Sequence, residues 1–98
     1  MKYFNMELTP LDRAIIITMY VRGGKSKTAH FPLEFITKGF PSHLHGKMKK
    51  RVIKLKREGY IYVKPHPSGV SYGLTDAGWK LAMNLEGEAE KKALEFPD

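Results

Sequence analysis

The chain has 98 residues, the length of one domain, with 42% hydrophobic and 28% charged residues, a globular balance rather than a disordered one. Cysteine is absent, which excludes disulfide scaffolds, thiolate catalysis and cysteine-ligated zinc. The net charge of +7 is unevenly spread: residues 1–75 carry 14 Lys and Arg against Glu7, Asp12, Glu34 and Glu58, while residues 76–98 carry three lysines against six acids.

A basic body with an acidic tail points to a polyanionic partner for the body. A single domain over residues 1–98 is expected, with its core over about 9–85 and an acidic helical tail over about 86–98. The longest apolar run, Ala14-Ile15-Ile16-Ile17, is far short of a membrane span or a signal-peptide core. A soluble, cytoplasmic protein without membrane contact is therefore expected.

The first helix is announced at Thr9-Pro10-Leu11-Asp12. Thr9 suits the cap, Pro10 the first helical position, and Asp12 the positive end of the helix dipole. Ile15, Ile16, Ile17, Met19 and Val21 cover nearly its whole circumference, so it is expected to be the most buried helix, ending at Gly23-Gly24. Gly24-Lys25-Ser26 imitates the end of a phosphate loop. The full pattern requires a glycine where Met19 stands and a preceding strand, not a helix.

Thr28 to Phe31 suits a short strand. Pro32 then opens a brief helix to Lys38 with Leu33 and Ile36 inward, which Gly39 closes and Phe40-Pro41 does not continue. Ser42 is the expected cap of a third helix reaching Glu58-Gly59. At about 100° per residue, Leu44, Met48, Val52 and Leu55 form one narrow apolar seam. Gly46, Lys49, Lys50, Ile53 and Arg57 occupy the opposite sector, flanked by Lys47, Lys54 and Lys56. Residues 47–57 hold seven cations and no acid.

After Gly59 the pattern turns strand-like. Tyr60 to Lys64 and Val70 to Leu74 read as the arms of a hairpin, with Pro65-His66-Pro67-Ser68-Gly69 as a five-residue tip. Thr75 caps a last helix that starts Asp76-Ala77-Gly78-Trp79. Trp79 is expected in the core beneath the hairpin, and Ala82, Met83, Ala89, Ala93 and Phe96 trace a weak apolar stripe farther on.

Helix, short helix, turn, helix and hairpin, in that order, resemble the winged helix-turn-helix domain of bacterial and archaeal transcription regulators. Met48, Val52, Leu55, Gly59 and Ile61 match the end of its recognition helix and the strand that follows. Gly73-Leu74-Thr75-Asp76-Ala77-Gly78 matches the leucine-threonine-acid-any-glycine signature of the multiple-antibiotic-resistance and phenolic-acid-repressor type. The resemblance covers about residues 9–85. It implies an α+β fold with a three-helix core, a β wing of two or three strands and a C-terminal helix. It also implies regulation of transcription at the nucleoid, with dimerisation through the terminal helices.

A helix with one apolar seam and a cationic outer face fits a major groove, whose walls are phosphates. The expected contacts to double-stranded DNA are Ser42, His43, His45, Gly46, Lys47, Lys49, Lys50, Ile53, Lys54 and Arg57 from the helix region. Lys64, His66 and Ser68 are the expected contacts from the wing. Asn and Gln, the bidentate readers of adenine, are missing from this face, and lysines serve phosphates better than base edges. An architectural chromatin protein would use the same lysines without a preferred site, and a winged helix used for protein contacts is the other alternative. His43 and His45 diverge by about 200° on a helix and cannot share a metal. No nucleophile, base and orienting acid can be assembled by spacing, so neither catalysis nor a cofactor or small-molecule ligand is expected.

Overall fold

A computed structural model describes residues 8–95 of the chain; Phe96, the last residue of the expected stripe, lies outside them, as does the side chain of Ala93. The described residues form a small α+β domain of four α-helices and one three-stranded antiparallel sheet.

Helix α1 spans Pro10–Arg22 and begins as its sequence demands. The Thr9 hydroxyl accepts from the Asp12 N–H and the Asp12 carboxylate accepts from the Thr9 N–H, each at 3.0 Å, a reciprocal cap. Ile15, Ile16, Met19 and Tyr20 are buried. The burial is one-sided, however: Ile17 is half-buried and Val21 is 54% exposed, because helices and sheet cover α1 from one side only. At its C-terminus Arg22 reaches across to the short helix α2, Leu33–Thr37, and donates to the carbonyls of Phe35 and Lys38. Those carbonyls end a helix and lack intrahelical donors, so one guanidinium pins α2 to α1.

Strand β1 is His30–Phe31, shorter than the sequence pattern suggests. A 3-10 turn over Ser42–Leu44 precedes α3, His45–Arg57. Ser42 does not cap α3 with its side chain, since Pro41 forces a tight turn in which the Leu44 N–H bonds the Pro41 carbonyl at 2.9 Å. The seam is as expected: Met48, Val52 and Leu55 are buried, Leu44 is half-buried, and the helix packs on α1.

Strands β2, Ile61–His66, and β3, Gly69–Leu74, form the hairpin, in sheet order β1-β3-β2. The tip is the two residues Pro67 and Ser68, not five, because Pro65 pairs with Val70 and His66 with Gly69. Pro65 is tolerated because β2 is an edge strand and the missing N–H faces away from the ladder. Residues paired across the ladder share a face, and faces alternate along each strand. Phe31, Ile61, Tyr72 and Leu74 accordingly meet the core, with Val63 on the same face, while His30, Tyr62, Lys64, His66 and Ser71 lie on the outer side. Gly73 lets the Tyr62 ring lie across it, since a Cβ there would fall 2.5 Å from the ring.

Helix α4, Asp76–Glu95, is capped by Thr75, whose hydroxyl accepts from the Gly78 N–H at 3.1 Å and donates to the Gly59 carbonyl at 2.6 Å. Trp79 is half-buried and packs against the core. Its ring meets Tyr20 edge-on at 5.9 Å and its indole N–H donates to the Lys25 carbonyl at 3.1 Å. Ala82 joins the core while Met83 and Ala89 are exposed, so the expected stripe divides between two faces. No described helix is long and apolar enough to cross a membrane.

Candidate nucleic-acid interface

Burial of Met48, Val52 and Leu55 fixes the rotation of α3, and that rotation turns Gly46, Lys47, Lys49, Lys50, Ile53, Lys56 and Arg57 to solvent. Lys54, on the flank, is half-buried. Ser42 and His43 are exposed on the preceding turn. His45 is half-buried, and its Nε2 bonds the Phe40 carbonyl at 2.8 Å. That bond spans the turn from α2 into α3 and gives His45 a place in holding the helix start.

Among the described residues, the ion pairs are Lys25 with Glu86, Lys27 and Lys80 with Asp76, and Arg51 with Asp12. Lys47, Lys49, Lys50, Lys54, Lys56 and Arg57 are in none of these. The outer face of α3 is thus a field of one sign.

Arg51 is the cation of this helix that does not face outward. It donates through Nε and Nη2 to the two carboxylate oxygens of Asp12, both at 2.7 Å. The Asp12 side chain is fully buried and the Arg51 side chain is 22% exposed. Burial pushes the Asp12 carboxyl up, but the Arg51 guanidinium and the Thr9 N–H outweigh it and hold the carboxyl below its ordinary value. The same bond holds Arg51 more firmly protonated. Two roles therefore meet at Asp12, the cap of α1 and the anchor of α3. The sequence carried a signal for this: Arg51 lies between Met48 and Leu55 on the edge of the seam, where a long cation needs a partner.

On the hairpin, Lys64, His66 and Ser68 are exposed. The His66 Nε2 is within 2.8 Å of the Ser71 hydroxyl, whose oxygen is also 2.8 Å from the Nδ1 of His30. Sequence reasoning did not anticipate His30 beside His66, since strand pairing alone brings them together. The loop after α1 is tied to α4 by polar contacts of its own. Glu86 bonds Lys25 at 3.0 Å and raises that ammonium's affinity for its proton. Lys80 and Lys27 together hold the Asp76 carboxyl below its ordinary value. Gly24 and Lys25 there follow a helix and adopt positive φ, unlike a phosphate loop after a strand. Searches against protein-family models and against curated protein sequences give no match to this chain.

Proposed function

We propose that this protein is a winged helix-turn-helix DNA-binding protein that regulates transcription, with α3 in the major groove and the β2–β3 hairpin along the backbone. The observation that carries this reading is the outer face of α3: Lys49, Lys50 and Arg57 are exposed opposite the buried Met48, Val52 and Leu55, Lys47 is exposed on the flank, and all four are outside every ion pair among the described residues. A solvated surface helix normally mixes both signs, and α3 holds no acid. One α-helix fills a major groove, and cations along it meet the phosphates on either wall. Lys64 and Ser68 on the exposed hairpin end suit further backbone contacts.

The face has no Asn or Gln, which favours modest discrimination between sequences, the property of an architectural protein on the chromosome. Dimerisation through the terminal helices belongs to the same reading; the cleft between α1 and α4, where Pro10, Ala14, Ile17, Leu85 and Ala89 lie beside Arg13 and Glu88, is the surface it would use. Replacing Lys49, Lys50 and Arg57 together by Ala tests the proposal. Affinity for duplex DNA should collapse while the denaturation midpoint hardly moves, since exposed substitutions shift stability by about 0.5 kcal/mol or less each. A variant that binds like the parent rules out α3 as the reader. Selection from a random duplex pool then separates the readings: an enriched motif supports a regulator, retention without a motif an architectural protein, and no retention a protein-contact module.

A further inference from the structure

We propose that the cleft between the start of α1 and the start of α3 binds one fatty-acid anion, a straight acyl chain ending in a carboxylate. The cleft has a volume of about 660 Å³ and mostly apolar walls, within the range of small-ligand sites. Leu11 and Ala14 reach it from α1, and Phe40 and Leu44 from the turns that lead into α3. All four are half-buried, so each keeps apolar surface turned to the cleft. Three cations border that surface, Lys47, Lys50 and Arg51, and no acid lines it.

Lys47 and Lys50 are exposed and belong to none of the ion pairs among the described residues. Arg51 commits Nε and Nη2 to the fully buried carboxylate of Asp12. That pairing neutralises Asp12 and fixes the guanidinium, while Nη1 keeps two N–H groups without a partner among the described residues. Polarity then selects the occupant. Thr9 is the one uncharged polar residue of the lining, and its hydroxyl already accepts from the Asp12 N–H at 3.0 Å. A sugar, an amide or a hydroxylated ring would lose its water here and find no partner. An acyl chain has nothing to satisfy, and its carboxylate accepts charge-assisted bonds from lysine and arginine at the rim.

The sequence gives no sign of this cleft, because residues 9–14 and 40–51 meet only in the fold. Lys47 and Lys50 also belong to the cations proposed to meet DNA, so an acid seated here competes with a duplex for them. Only that competition rests on the DNA-binding reading; binding of the acid rests on the cleft and its rim.

The test uses the intact chain without DNA, and sodium octanoate, decanoate and dodecanoate below their micelle concentrations. Calorimetry should give one anion per chain, with affinity rising about fourfold per methylene and so about fifteenfold per step of two. Dodecanol, which has the chain without the charge, should bind at least about tenfold more weakly than dodecanoate, and Lys47→Ala combined with Lys50→Ala should cost as much. In methyl NMR, dodecanoate should move the resonances of Leu11, Ala14 and Leu44 and spare Val70 and Met83, which are exposed elsewhere. The methyl shifts are read on the unsubstituted protein, so a variant that folds poorly does not spare the proposal. Absence of binding, affinity indifferent to chain length or to the charge, or shifts spread equally to Val70 and Met83 would each overturn it. With duplex DNA bound to α3, dodecanoate should release it; an acid that binds without displacing the duplex would overturn the competition alone.

Discussion

Arg51→Ala should be the most damaging single change to a charged residue of α3, and through folding, not through DNA contact. The substitution removes two of the three hydrogen bonds that the Asp12 carboxylate accepts, leaving the Thr9 N–H at 3.0 Å. The carboxylate itself stays fully buried. A buried charge stripped of its partner costs about 3–5 kcal/mol, a large part of the 5–15 kcal/mol typical of a whole domain. Asp12→Ala should cost less, because Arg51 is already 22% exposed and can swing into water, while loss of the α1 cap adds about 1 kcal/mol.

The dependence on pH separates the two. In the parent, Asp12 titrates below its ordinary value in the folded state, so its contribution is complete above about pH 3.9 and is lost as pH falls below that. In Arg51→Ala the burial that raises the carboxyl is opposed only by the Thr9 bonds, so the carboxyl should move up from its place in the parent and acidification from neutrality should relieve the variant. Urea titrations followed by circular dichroism at neutral and mildly acidic pH provide the assay. An Arg51→Ala protein within about 1 kcal/mol of the parent at neutral pH would refute the buried-anchor reasoning, as would Asp12→Ala proving the costlier change.

Leu55→Ala empties a fully buried position between α3 and the rest of the core and should cost about 2–5 kcal/mol; a denaturant midpoint near the parent's would mean that α3 is rotated differently. Gly78→Ala brings a Cβ to 2.1 Å from the Tyr60 carbonyl oxygen, which already accepts from the Thr75 N–H at 3.1 Å. Because backbone must move on one side or the other, a loss of about 3 kcal/mol or more is expected, against almost none for Gly87→Ala, where a Cβ meets open space. Salt supplies the functional counterpart. If each subunit engages four or five phosphates through Lys47, Lys49, Lys50, Lys54 and Lys64, a dimer should show a slope near about −8 in log K against log salt. Preferred and random DNA should differ by a ratio on the low side of about 10³–10⁷, and a ratio above about 10⁶ would show that His43 or the hairpin reads bases well.

What sequence reasoning recovers, and what it misses, follows the range of the interactions involved. Thr9, Pro10 and Asp12 cap α1 as written because a cap is completed within one turn of chain. Gly73 to Gly78 was legible as a pattern, and the structure gives the pattern physical content. Gly73 yields to the Tyr62 ring, Thr75 ties α4 to Gly59, and Gly78 admits the Tyr60 carbonyl. The sequence pattern makes the hairpin tip too long because Pro65 reads as a chain breaker until β1 is known to pair with β3, leaving β2 at the edge.

The cationic face of α3 survives from sequence to structure for a related reason. Water satisfies an exposed ammonium wherever it points, so periodicity alone puts Lys49 and Lys50 outside. Arg51 cannot be read that way. Once its neighbours Met48, Val52 and Leu55 enter the core, it must find an acid, and its partner Asp12 lies 39 residues away. The three atoms at Ser71 pose the same difficulty, because the His30 contact spans 41 residues and depends on sheet register. Periodicity assigns a residue to a face; a hydrogen bond between distant segments requires both the face and the register, and register is settled only when the strands and helices meet.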